Sequence, residues 1–112
     1  MAETLRRDER IRRRPEFQRV RDQGVRTRGR YMTLVIHRNS LRVSRLGIIA
    51  TRRLGNAARR NRAKRLVREV FRLNKTALGL DIVVLPQREL PDAAFTDLQA
   101  DFRAALRRHV RR

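Results

Sequence analysis

The side chains that could do chemistry in this chain are distributed unequally. Carboxylates, the usual general acids, bases and metal ligands, number 11 against 30 lysines and arginines. Glu3, Asp8 and Glu9 lie near the start, and Asp92, Asp97 and Asp101 near the end. Hydrolysis by paired carboxylates needs two of them to converge on one bond, whereas this spacing suits helix-dipole and solvation roles. His37 and His109 are the only histidines, and no His/Asp/Glu cluster has metal-ligand spacing. There is no Ser/His/Asp arrangement, no GxxxxGK(S/T) loop and no GxGxxG. The chain alone is a poor candidate for an enzyme, and no metal site is expected within it.

The cations give the stronger signal. Residues 51–72 hold nine Arg/Lys and one Glu in 22 positions, yet keep an apolar stripe at helical spacing. At 100° per residue Ala63, Leu66, Val67, Val70 and Phe71 share one face, while Asn61, Arg65, Arg68 and Arg72 point away and Lys64 lies on the flank. Arg59 and Arg60 fall on the apolar side, but in the first turn, so their heads can reach past the helix end. A solvated helix face would carry acids for i,i+4 pairing. Only Glu69 is available, so the run repels itself unless it meets phosphate. Asn61 within the run could contact phosphate, a base edge or a metal hydration shell.

The 112 residues fit one domain, 1–112, with one modest core. A net charge of +19 points to a polyanionic partner. Twenty-eight of the cations are arginine, which suits phosphate recognition but also follows from a GC-rich genome. There are no cysteines, so a disulfide framework is excluded and a reducing compartment is compatible. No apolar run approaches a membrane span, and the N-terminus lacks the apolar core of a signal peptide. A soluble cytoplasmic protein is expected.

These residues need elements to position them. Residues 1–14, with six arginines, read as a flexible or loosely docked basic arm. Pro15 suits the first position of a short helix carrying Phe17 and Val20 and ending at Gly24. Residues 31–37 alternate as a strand, with Tyr31, Thr33, Val35 and His37 on one face and Met32, Leu34 and Ile36 on the other. A second strand at 46–51 is expected to pair with it as a hairpin, with its loop near 38–44. A further short strand is possible near 25–30. Gly55-Asn56 opens the basic helix, with Asn56 as N-cap. Residues 80–85 form a strand apolar on both faces. The last helix starts at Pro91-Asp92 with Phe95, Leu98, Phe102, Ala105 and Leu106 as its stripe. Phe71, Phe95 and Phe102 read as core; Phe17 and Tyr31 are either core or stacking platforms for single-stranded bases. The order gives an α+β sandwich.

The run Arg59-Arg60-Asn61-Arg62-Ala63-Lys64-Arg65-Leu66-Val67-Arg68-Glu69, preceded by Leu54-Gly55-Asn56-Ala57, resembles the signature of the bacterial ribonuclease P protein family. The likeness extends to Arg14–Val20 before a glycine, to Ser44–Ala50 and to Leu80–Pro86. It implies a small sandwich with a four-stranded sheet packed with helices, of the type of the second domain of ribosomal protein S5, with a left-handed βαβ crossover. It implies binding to the catalytic RNA of ribonuclease P and to the 5′ leader of precursor tRNA, assisting Mg²⁺-dependent endonucleolytic removal of that leader. The catalytic centre would lie in the RNA. Mg²⁺ would serve the RNA–protein holoenzyme, and no membrane or obligate protein partner is implied. The motif maps onto Arg53, Arg60, Asn61, Arg62, Lys64, Arg65 and Arg68. With Arg52 and Arg59 of the same run, these are the RNA-binding candidates. The family's leader cleft, between first helix and sheet, maps onto Phe17, Arg21, Tyr31 and Leu34. Relatives often have aromatics where this chain has Arg21 and Leu34; Arg21 offers a guanidinium for stacking or phosphate instead. The alternatives are a ribosomal or other structural RNA-binding protein, a sequence-tolerant DNA-binding protein and a self-sufficient nuclease.

Overall fold

The computed structural model describes residues 5–75 and 79–110. In chain order these form α1 (Arg14–Gln23), β1 (Val25–Arg28), β2 (Met32–Arg38), β3 (Arg45–Ile48), α2 (Ala57–Leu73), β4 (Leu80–Pro86) and α3 (Phe95–Val110). Short 3-10 turns sit at Arg7–Glu9, Arg52–Leu54 and Leu90–Asp92. Pro15 lies in the first turn of α1, and the Glu16 carboxylate accepts from the Arg13 N–H. The last helix therefore begins later than Pro91 suggests, because Pro91 belongs to a separate 3-10 turn.

The sheet order is β1-β2-β4-β3. The expected hairpin of the second and third strands does not form. β4 stands between them, antiparallel to β2 and parallel to β3, with Leu34 opposite Val84 and Leu46 opposite Ile82. The reason is burial: β4 is apolar on both faces, which suits a central strand and not an edge. A parallel β3–β4 pair requires a crossover, and α2 is that crossover.

The two faces are covered unequally. α2 and α3 pack on Met32, Leu34, Ile36, Leu46, Ile82 and Val84, forming the main core with Val67, Val70, Phe71, Leu98 and Phe102. The opposite face carries a smaller cluster, Ile11, Val20, Val35 and Val83, with Phe17, Ile49 and Leu85 only partly buried. α1 covers only part of this face, leaving sheet surface open beside it.

The described part of the arm is docked on the sheet. Leu5 and Ile11 are buried, Arg10 bridges to Leu46, and the Ile11 N–H donates to the Leu46 carbonyl at 2.9 Å. Two apolar side chains among many arginines suffice to dock the segment along the β3 edge. Its first four residues lie outside the described region. Glu9 pairs with Lys75. Burial pushes the Glu9 carboxyl up, but hydrogen bonds from Lys75 and the Arg6 N–H outweigh it and leave it below the ordinary range.

One polar network fixes α1 against the sheet. Arg45 donates to both Asp81 carboxylate oxygens, at 2.8 and 2.7 Å, and to Glu16 at 2.7 Å. Asn39 adds a bond to Asp81 at 2.8 Å. The bidentate bond to Asp81 holds Arg45 above its ordinary range, and the bond from Arg45 holds Glu16 below its own.

Candidate nucleic-acid interface

α2 begins where its sequence directs. The Asn56 side chain accepts from the Arg59 N–H at 2.9 Å, closing the N-cap. Ala63, Val67, Val70 and Phe71 are buried, and Leu66 is partly so. Asn61, Arg65 and Arg68 accordingly face solvent, with Lys64 half-buried on the flank. Arg52 and Arg53 are exposed on the 3-10 turn before the helix. Arg52, Arg53, Lys64, Arg65 and Arg68 engage no acceptor among the described residues. Partial desolvation by its neighbours, and then the nearby Arg10 cation, lower the exposed Arg68 from the ordinary arginine value. A surface of uncompensated guanidinium groups is built for phosphate.

Three other residues of the run are already engaged. Arg59 Nε donates to the Leu54 carbonyl at 2.7 Å, and its Nη atoms reach Asp92 at 2.9 and 3.0 Å. Arg62 Nε donates to the Pro91 carbonyl at 2.8 Å. Arg60 turns back to the Gly55 carbonyl at 3.1 Å. Arg59 and Arg62 thus pin the Leu90–Asp92 turn to the helix. The bond from Arg59 holds the Asp92 carboxyl below its ordinary range. The sequence signal for this clamp is the apolar-side position of Arg59 in the first turn.

A groove of about 780 Å³ opens on the partly covered face, lined by the ends of β1, β2 and β4 and the segments that follow β3 and β4. Ile49, Leu85 and Pro86 give it apolar surface, Thr33 and Thr51 add hydroxyls, and Arg28, Arg53, Gln87, Arg88 and the carboxylate of Glu89 line it as well. Arg53 belongs to both surfaces, so the groove and the α2 cations are continuous. Apolar surface flanked by guanidinium groups can take an unpaired strand, whose bases and phosphates need those two environments.

The expected cleft residues are placed unevenly. Phe17 packs on the small cluster of this face, and Arg21 is exposed on α1. Leu34 is not in the cleft: it is fully buried in the main core, on the opposite face. The Tyr31 ring also packs against the main core, with the Arg30 guanidinium 5.1 Å from its centroid, and does not line the groove. Side chains alternate along β2, so Leu34 cannot share a face with Val35, which the small cluster buries. The four residues expected from the sequence do not include Thr33, Ile49, Leu85 and Gln87, which line the groove here; of these, the alternation of β2 places only Thr33 with Val35.

The acids are largely committed to cations or backbone. Asp81 serves Arg45, Asp92 serves Arg59, Glu69 serves Arg72, and Asp101 accepts three backbone N–H groups. Among the described residues no three His, Cys, Asp or Glu side chains could jointly hold a metal ion. No helix among them is long and apolar enough to cross a membrane.

The family model described as Ribonuclease P matches residues 5–110. The ribonuclease P protein component of Thermotoga maritima is 42% identical over 94 residues, covering 82% of this chain and 80% of that protein. That of Chloroflexus aurantiacus is 40% identical over 106 residues, covering 92% and 78%. The solved ribonuclease P protein from T. maritima superposes with a TM-score of 0.80 at 36% identity, over 89% of this chain and 96% of that one. The Staphylococcus aureus protein superposes with a TM-score of 0.78 at 31% identity, over 88% and 93%.

Proposed function

The chain belongs to the ribonuclease P protein family, the protein component of a ribonucleoprotein endoribonuclease, and from that premise we propose a division of labour between its two surfaces. The exposed cations of α2 and the preceding turn bind the catalytic RNA. The groove on the partly covered sheet face takes the 5′ leader of precursor tRNA. The observation that carries this reading is the continuity of the two surfaces through Arg53. A leader lying in the groove emerges beside the α2 cations, so one protein touches enzyme RNA and substrate at once.

The chemistry rests with the RNA. Hydrolysis of the phosphodiester uses Mg²⁺ in the RNA–protein holoenzyme, and among the described residues the acids do not form a cage for it. The protein acts electrostatically instead. Its net charge of +19 offsets repulsion between two RNAs brought together. It also adds binding energy for the leader, a part of the substrate away from the reacting bond, which contributes to positioning. The whole complex would work in the cytoplasm, where precursor tRNA is made. Co-purification from the native host, followed by sequencing of the bound RNA, tests the reading: one catalytic RNA and precursor tRNAs are expected, and ribosomal RNA alone would contradict it.

A further inference from the structure

We propose that Asp101 is a positioning residue for the leader groove, acting across the sheet through the β1–β2 turn. This rests on the leader reading given above. Asp101 lies on α3, which packs on the sheet face opposite the groove. Its carboxylate accepts three consecutive backbone N–H groups: Arg30 at 2.8 Å, Tyr31 at 2.8 Å and Met32 at 3.2 Å. No helix-dipole or solvation role calls for such an arrangement.

The turn is shaped to receive that carboxylate. A Cβ on Gly29 would stand 2.5 Å from Asp101 Oδ1 and 2.7 Å from Oδ2, so only a residue without a side chain admits it. Gln87 holds the same turn through its carbonyls. Its backbone N–H donates to Tyr31 at 2.9 Å, and its side-chain amide donates to Gly29 at 3.0 Å. Gln87 and Arg28 both line the groove. The path is therefore short: Asp101 fixes the N–H groups of the turn, the turn's carbonyls fix Gln87, and the strand entering the turn presents Arg28. Releasing the carboxylate loosens one wall of the groove without touching anything in it.

The test uses holoenzyme assembled from catalytic RNA and protein. Affinity is measured for precursor tRNA with its leader and for mature tRNA, and the ratio is compared between wild type and Asp101→Asn. Asparagine keeps the shape but turns an amide donor toward backbone donors. The ratio is expected to fall about tenfold, the scale of one lost hydrogen bond to a charged group. A second readout follows the turn directly. Tyr31 is the only tyrosine and the chain has no tryptophan, so its fluorescence in the free protein reports on this turn alone. Acrylamide quenching is expected to rise in Asp101→Asn. Gly29→Ala keeps every charge and displaces the carboxylate sterically, and it should reproduce both effects.

Folded variants that keep the wild-type ratio overturn the proposal and leave the leader reading intact. Wild-type holoenzyme that binds both RNAs equally overturns both. Loss of the fold in both variants also overturns it, by making Asp101 a determinant of stability alone.

Discussion

The Phe17 ring lies directly over Gly47: a Cβ on that glycine would stand 2.5 Å from the ring's Cε1 and 2.8 Å from Cζ. The bare strand lets α1 seat an aromatic against the sheet beside the groove. Gly47→Ala should displace the ring and cost about 1–3 kcal/mol as overpacking. Phe17→Ala should weaken leader-bearing precursor tRNA by about 1–3 kcal/mol per base stacked, while sparing mature tRNA. Binding titrations with both RNAs, beside urea melts, separate the two effects. Equal losses for both RNAs would make Phe17 a core residue only.

Adjacent residues of β2 should behave oppositely. Leu34 is fully buried in the main core, so Leu34→Ala should cost about 2–5 kcal/mol of stability with leader discrimination retained by the folded fraction. Thr33 lines the groove, so Thr33→Tyr should add a stacking surface and tighten leader binding by about tenfold. Thermal melts and binding ratios check both. Loss of leader discrimination in folded Leu34→Ala would show that the two faces are assigned the wrong way round.

This pair also shows how far the sequence can be read. The period-2 pattern of residues 31–37 is enough to separate Thr33 and Val35 from Leu34. Placing Leu34 in the cleft follows a family map instead of that alternation. The outward face of the basic helix is legible, because its apolar stripe directs Arg65 and Arg68 to solvent, but the bond of Arg62 to the Pro91 carbonyl joins distant segments and is not. Strand order is not: local pattern shows that residues 80–85 are buried on both sides, but not that they part β2 from β3. The docked arm is hidden by its charge, since Leu5 and Ile11 are two side chains among six arginines. The groove is hidden because Ile49, Leu85 and Gln87 come from distant segments.

Arg45 should be worth more to the fold than any surface cation. Its side chain is 15% exposed and that of Asp81 only 6%. Arg45→Met leaves Asp81 buried without its main partner and should cost about 3–5 kcal/mol, measured by urea unfolding. The acid limb of stability tests Glu16. A carboxyl lowered in the folded state contributes stability above its unfolded value and loses it as the pH falls through the folded value. Wild type should therefore lose stability as the pH drops below the ordinary glutamate value of 4.5. Glu16→Gln should show a smaller drop across that window. An unchanged drop would mean the Arg45–Glu16 contact contributes nothing in solution.

The α2 arginines should divide by what they touch. Arg65 faces solvent and engages no acceptor among the described residues. Arg65→Ala should leave the melt unchanged, weaken catalytic-RNA binding and reduce the log–log salt slope by about 1. Arg59→Ala should lower the melting temperature by freeing the Leu90–Asp92 turn, and Asp92→Ala should do the same. Combining them should cost little beyond Arg59→Ala alone, because Asp92 pairs with Arg59, and more than Asp92→Ala alone, because Arg59 also holds the Leu54 carbonyl. A flat salt response of the wild type would remove the electrostatic basis of RNA binding.

The most direct measurement is precursor-tRNA cleavage by four samples across a Mg²⁺ titration: RNA-free protein, catalytic RNA, the two together, and the two with folded Arg65→Ala protein. The protein alone should be inactive at every Mg²⁺ concentration, because its described acids form no cage for the ions that two-metal hydrolysis requires. Protein and RNA together should cut once, at the 5′ end of the mature tRNA, and at lower Mg²⁺ than the RNA alone. Arg65→Ala should move the Mg²⁺ requirement back toward that of the RNA. Efficient cleavage by the nuclease-treated protein, or a Mg²⁺ requirement unchanged by adding it, would contradict the division between an RNA that cuts and a protein that binds.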